Sequence, residues 1–277
     1  MKKEVNVIGQ DHLVKEISKI LQIFKASECK VRPHFILTGP SGSGKSYTIR
    51  DLTEKYELGF LEVNAAQLTK EGTSGNSLSK VLSPLIQLGN KPLVVFVDEW
   101  DKLFISGNSN DSIAHETTTG VQNEFLKVLE GETASVFGDY GKYITVGSSN
   151  ILFVFAGAFN GEENISIDRL REMGVKTEFL GRVGLVYNTD RLNLDDLCTI
   201  LEKSELLKHY LVLFPSVKRE DVIDNIRDYL TRNYDNNALG ARLVNTLIHR
   251  WFIKGGKLEE EEVKAVSFQK TLELSEA

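Results

Sequence analysis

Gly39-Pro40-Ser41-Gly42-Ser43-Gly44-Lys45-Ser46 has the spacing G-x-x-x-x-G-K-[ST] of a phosphate-binding loop. A polyphosphate is wrapped by backbone N–H groups, so such a loop carries glycine where a Cβ would collide or where φ is positive. Gly39, Gly42 and Gly44 meet that need. The Lys45 ammonium is then placed to reach the β- and γ-phosphates, and the Ser46 hydroxyl to ligate Mg2+. The flanks agree with this reading. Residues 34–38 form a short apolar run, expected to be a buried strand. Residues 47–56 contain neither Gly nor Pro and read as a helix. A strand, a glycine loop and a helix N-terminus together make an anion site.

Residues 93–99, Leu93-Val94-Val95-Phe96-Val97-Asp98-Glu99, give the second signal. Five apolar residues end in two adjacent carboxylates. Successive strand residues point to opposite faces, and the end of a strand lets both heads emerge at the carboxyl edge of a sheet. There Asp98 is expected to hold Mg2+ through water beside Ser46, and Glu99 to polarise an attacking water as general base. An acidic pair after a strand is common on protein surfaces. Its place downstream of a phosphate loop is what makes it chemical.

The rest of the chain sets limits. Its 277 residues suffice for one large domain or two smaller ones, with 41% hydrophobic and 26% charged residues, as in ordinary globular proteins. The net charge of −6 provides no global field for nucleic acid, and no aromatic-basic ladder suggests single-strand binding. Cys29 and Cys198 are too far apart for a zinc-ligand spacing, so a reducing, cytoplasmic setting is expected. No signal-peptide core follows Met1, and no apolar run reaches the length of a membrane span. The five histidines make no ligand pair, and no nucleophile, base and orienter form a triad.

Helical periodicity marks Leu13, Ile17, Ile20, Leu21 and Phe24, with Asp11 as a candidate cap. Residues 59–64 read as a second strand, 69–79 as a loop, and 78–88 as helix with a kink or restart at Pro84. Residues 104–119 read as a polar loop, followed by an amphipathic helix ended by Gly131. Residues 139–147 suggest a hairpin or loop, and 151–155 a buried strand. A helix or broken helix pair spans 167–180, and 181–186 leads into another strand. Beyond Asn188 the pattern turns helical at 194–213, 219–234 and 238–252. Residues 259–262 are a charge run, and 263–268 suit a small strand. The expected organisation is α/β: a parallel sheet sandwiched by helices over 1–188, then a small helical domain over 189–277.

The order of these signals, from Ile8-Gly9-Gln10 to Gly240-Ala241-Arg242, resembles the AAA+ ATPases, in particular the unfoldase branch that includes ClpX and HslU. Gly120-Val121-Gln122, Leu126-Lys127-Val128-Leu129-Glu130-Gly131, Asn150-Ile151-Leu152-Phe153-Val154, Gly157-Ala158-Phe159 and Glu178-Phe179-Leu180-Gly181-Arg182 carry the likeness. The resemblance implies Mg2+-dependent ATP hydrolysis, with Glu99, Lys45 and Arg182 catalytic. Arg182 would be a finger reaching the γ-phosphate of a neighbouring subunit, and Arg242 a second sensor that contacts nucleotide. Val7 and Ile8 would pack on adenine. Gly39, Pro40, Ser41, Gly42, Ser43, Gly44, Lys45, Ser46 and Tyr47 would cradle the phosphates, and Ser46 and Asp98 would hold the metal. A finger acting between subunits implies a homo-oligomeric ring, most often of six, working on a protein partner.

Departures from the family pattern concern substrate handling. The residues before the core do not resemble the family's zinc-binding amino-terminal domain, so adaptor contacts of that kind are not expected. The first pore loop of the family carries an aromatic-hydrophobic pair, whereas the matching Glu71-Gly72-Thr73-Ser74-Gly75 puts Thr73 in the aromatic position. Threonine offers little apolar surface for gripping a passing side chain. The insert after Gly161 is short and has no Ile-Gly-Phe tripeptide, so docking of a ClpP-type peptidase is not expected. The first-sensor position reads Ala156-Gly157, with Asn160 as a stand-in. Three functions follow: a protein-remodelling ring, a nucleic-acid remodeller or loader on the same core, and a non-threading switch controlled by ATP.

Overall fold

The computed structural model describes residues 5–68, 76–104, 112–138, 141–237 and 239–258, with backbone alone over 112–118 and at 236. Two compact units divide the chain, Met1–Asn193 and Leu194–Ala277. The expected pore loop at 71–75, the charge run at 259–262 and the strand at 263–268 lie outside the described residues.

The first unit contains strands β1 (Phe35–Thr38), β2 (Gly59–Asn64), β3 (Leu93–Asp98), β4 (Thr133–Phe137), β5 (Tyr143–Gly147), β6 (Ile151–Ala156) and β7 (Leu185–Asn188). Five of them form one sheet in the order β2-β3-β6-β1-β7, and every neighbouring pair is parallel. Parallel neighbours need crossovers, and the crossing helices cover both faces. The helices are α1 (Asp11–Ala26), α2 (Lys45–Lys55), α3 (Leu78–Val81), α4 (Leu85–Leu88), α5 (Ser112–Glu130), α6 (Ile167–Glu172) and α7 (Thr177–Arg182). Alternation along the strands divides the core. Phe35, Leu37, Val94, Phe96, Leu152 and Val154 pack with Leu13, Ile17, Leu21 and Phe24 of α1 and Ile49 and Leu52 of α2. Ile36, Val95, Val97, Phe153 and Phe155 pack on the other side with Val121, Phe125, Phe179 and Leu180. Burial of each such large side chain contributes about 1.5–3 kcal/mol.

Several local expectations needed correction. Helix α5 begins at Ser112, inside the stretch expected as a polar loop. The β-branched run Thr117-Thr118-Thr119 weakens helix propensity only slightly, and an adjoining amphipathic helix overrides it. Strand β4 was missed, although Ala134 and Val136 alternate as buried positions; it pairs antiparallel with β5. At Pro84 the restart, one of the two expected alternatives, is what forms: Pro84 stands as the cap residue of α4. Asp11 is the first helical residue of α1, and Gln10 occupies the cap position without a side-chain cap bond. Gly181 and Arg182 finish α7 instead of leading into β7.

The second unit contains α8 (Leu194–Glu202), α9 (Glu205–Leu213), α10 (Arg219–Asn233) and α11 (Ala241–Ile253). One expected helix splits in two at Ser204, whose side chain accepts from the Leu207 N–H and caps α9. Tyr210 of α9 stacks on Phe252 of α11 at 4.5 Å between ring centroids. Among the described residues no helix is long and apolar enough to cross a membrane.

His34 lies buried beside the sheet, where its Nδ1 accepts from the Phe153 N–H at 3.0 Å. Burial, with nearby Arg32 as a smaller cause, pulls its pKa down to about 4. A base held neutral in this way stabilises the fold fully above its unfolded pKa of about 6.5, and that contribution is lost as pH falls toward 4. Lowering the pH from 7 to 4.5 should therefore destabilise the parent by about 2–3 kcal/mol more than His34→Gln. Urea unfolding of both proteins at the two pH values measures the difference, and parallel losses would contradict it.

Candidate nucleotide site

The phosphate loop joins the carboxyl end of β1 to the first residue of α2, so it runs directly into a helix N-terminus. Gly44 precedes the helix at φ +94°, a left-handed conformation that favours glycine. Gly39, at φ +132°, has a second constraint. A Cβ there would lie 2.0 Å from Thr189 Oγ1 and 2.8 Å from the Thr189 carbonyl oxygen. Lys45 is buried, and its ammonium donates to the carbonyls of Gly39 at 2.7 Å and Pro40 at 2.9 Å. Ser43 is also buried, with its hydroxyl 2.7 Å from that of Thr189, so its side chain turns into the protein. Ser41 and Tyr47 are exposed at the loop and the first turn of α2.

The acid pair emerges where β3 ends. The Ser46 hydroxyl donates to Asp98 Oδ2 at 3.4 Å, although the two residues are far apart in sequence. The other oxygen of Asp98 accepts from the Glu99 N–H at 2.9 Å. Glu99 leaves the strand at φ 54° and ψ 30°, left-handed for a residue with a Cβ. Such backbone costs about 1–3 kcal/mol and collects at functional sites. Here it ends the strand alternation: Asp98 stays half-buried beside Ser46 while the Glu99 side chain is exposed.

These groups suit a magnesium triphosphate. A hydroxyl and a carboxylate are hard oxygen donors of the kind a small divalent cation takes. An ammonium and a helix N-terminus match phosphate.

Val7 and Ile8 are half-buried in a segment held at both ends. The Asn6 N–H donates to the buried Asp51 of α2 at 3.1 Å, and the Gln10 side chain donates to the Asp190 carbonyl at 2.8 Å. Arg182 lies at the end of α7, where its guanidinium donates twice to Glu130 Oε1, at 3.1 and 2.9 Å. Arg242 is exposed in the first turn of α11, in the second unit. Asn160 is exposed at φ 56°, after Phe159 at φ 47°. The structure thus brings Lys45, Ser46 and Asp98 together around the loop, with Glu99 next to them in the chain.

Sequence reading missed the residues that hold these groups in place. Asp51 is a polar residue on the buried side of a helix, with no local mark to distinguish it. Asp101 is almost fully buried, and its Oδ2 accepts from the Phe159 N–H at 3.0 Å. A Cβ on Gly157 would lie 2.6 Å from Asp101 Oδ1, so the turn after β6 is moulded on that carboxylate. Trp100 is fully buried and stacks on Phe179 of α7 at 4.9 Å.

The family of ATPases associated with various cellular activities (AAA) matches residues 35–169. The chain carries an AAA-family ATPase domain on a P-loop α/β fold. Its curated relatives support a ClpX-like place within that family. It is 30% identical to the ATP-dependent Clp protease ATP-binding subunit ClpX of Treponema denticola, over 65% of this chain and 45% of that protein. It is 26% identical to the ClpX proteins of Borrelia duttonii and Borrelia recurrentis, over 95% of this chain and 71% of each of theirs. These relationships support ATP binding and ATPase activity.

Gly39→Ala should lower the unfolding free energy by about 3 kcal/mol or more, because the added methyl meets both a hydroxyl and a backbone carbonyl at positive φ. Guanidinium unfolding tests this. Stability within about 0.5 kcal/mol of the parent would mean that the contact between Gly39 and Thr189 is slack.

Proposed function

We propose that this chain hydrolyses ATP with magnesium, assembles into a homo-oligomeric ring of six, and uses turnover to remodel a protein partner. The observation that carries the site reading is the approach of the Ser46 hydroxyl to the Asp98 carboxylate at the mouth of the phosphate loop, with Glu99 following in the chain. The loop amides and the Lys45 ammonium bind and orient the phosphates. Ser46 and Asp98 would hold the magnesium ion, which neutralises charge on the β- and γ-phosphates when bound. Glu99, exposed beside Asp98, accepts the proton of the attacking water. Val7 and Ile8 supply an apolar face for the base. Arg182 brings positive charge to the γ-phosphate of an adjacent protomer, which requires it to exchange its contact with Glu130. That exchange is easy, because a half-exposed ion pair is worth about 0–1 kcal/mol. Arg242 serves as a sensor of bound nucleotide.

The comparison proteins named ClpX support the ring and the protein partner. Thr73 in place of an aromatic favours a second reading, a switch that changes its assembly with nucleotide but threads no polypeptide. Thr73→Tyr separates the two. A remodelling loop should process its partner differently with the larger side chain, whereas a switch should be indifferent.

Lys45→Ala should abolish ATP binding. Glu99→Gln should bind ATP while turnover drops by about 10²–10⁴-fold. Arg182→Ala should bind ATP normally yet lose about 10³-fold or more in turnover, and mixing it with Glu99→Gln subunits should restore part of the loss. Steady-state phosphate release and nucleotide titration measure each effect. Full turnover by Arg182→Ala alone would defeat the role between subunits. If Glu99→Gln held in ATP captures no protein that the parent in ADP leaves behind, the remodelling role fails.

A further inference from the structure

The end of β7 meets the phosphate loop through hydrogen bonds that span most of the first unit. Thr189 is buried and follows β7 directly. Its N–H donates to the Thr38 carbonyl at 2.9 Å, and its hydroxyl donates to the same oxygen at 3.1 Å. That hydroxyl has one proton, so the Ser43 hydroxyl, 2.7 Å away, donates to it. The result is a relay from the phosphate loop through Thr189 to the last residue of β1. Each bond in such a chain polarises the next. Gly39, the first glycine of the loop, packs against the same Thr189. Next to this relay, the fully buried Gln10 side chain donates to the Asp190 carbonyl at 2.8 Å and to the Ser43 carbonyl at 3.4 Å. Its Oε1 accepts from the Asp190 N–H at 3.1 Å.

We infer that Thr189 is a positioning residue for the phosphate loop: its hydroxyl holds Ser43 turned inward, so that the loop presents backbone rather than side chain to the phosphates. The inference rests on the reading of this loop as the nucleotide site. Thr189 acts through Ser43 and Gly39 and touches no reacting atom. Removing its hydroxyl leaves the Ser43 hydroxyl buried without its acceptor and unties the loop at that residue, so the backbone amides lose the alignment the phosphates need. Gln10 fastens the same loop residue by its carbonyl, so the two contacts grip Ser43 from its side chain and its backbone.

The test uses ADP as the probe, titrated by calorimetry, so that hydrolysis plays no part. Thr189→Val keeps the bulk and removes the hydroxyl, and Ser43→Ala removes the other half of the contact. Each should weaken ADP binding roughly tenfold, as expected for a lost buried hydrogen bond. The double variant should bind about as weakly as either single one, because both changes break the same contact. Thr189→Ser should restore parental affinity. A purely structural role would lower the urea midpoint of Thr189→Val and leave ADP affinity within twofold of the parent, which overturns the inference. Losses that multiply to about a hundredfold in the double variant also overturn it. If Thr189→Val does not fold, Ser43→Ala alone decides, and parental affinity there is a refutation. Lys45→Ala is the reference. If it binds ADP like the parent, the nucleotide-site reading itself is wrong; if it loses binding while Thr189→Val does not, only the positioning role falls.

Discussion

Parallel pairing throughout the five-stranded sheet is the constraint from which the site follows. Because every neighbouring pair runs the same way, all five carboxyl ends lie along one edge. The phosphate loop leaves β1 there, Asp98 and Glu99 leave β3, Gly157 to Asn160 leave β6, and Thr189 leaves β7. Strands β1 and β3 are separated by β6 alone, so a hydroxyl on the helix after one reaches a carboxylate at the end of the other. An antiparallel neighbour would have placed one of these groups at the opposite edge. Burial on both faces keeps the sheet in this arrangement, since a one-residue slip of any strand would exchange its two apolar sets.

The same edge concentrates unfavourable backbone. Glu99, Phe159 and Asn160 all have positive φ. Neighbouring contacts hold them there. The Asp98 carboxylate takes the N–H of Glu99, and the buried Asp101 carboxylate takes that of Phe159. Trp100, between these two acids, is anchored on Phe155, Phe104 and Phe179. An apolar aromatic cluster thus supports a short acidic segment, with Asp98 beside Ser46 and Asp101 on the turn after β6. Since Phe179 belongs to α7, the helix that ends at Arg182, this packing sets Trp100, the neighbour of the candidate general base, against the helix that carries the candidate finger.

Charge placement is economical. Among the described residues around the loop, the ammonium of Lys45 is held by two carbonyls, and the finger candidate is held by Glu130.

The chain order alone determined the class of fold and pointed to the chemical groups of the candidate site. A glycine loop between an apolar run and a helix, followed by an apolar run ending in two acids, is a local pattern, and each part is set by neighbours within a few residues. The helical second unit was legible for the same reason, through periodicity. What the sequence did not show depends on contacts between distant segments. Nothing near Thr189 marks it as a partner of Gly39 and Ser43, since they meet only when β7 pairs with β1. Asp51 and Asp101 read as ordinary acids until burial gives them backbone amides to hold. The start of α5 and the existence of β4 were lost because weak local propensity yields to the packing that surrounds it. Tertiary structure decided how the chemical groups are aimed, because aiming depends on buried hydrogen bonds whose two ends lie on different strands.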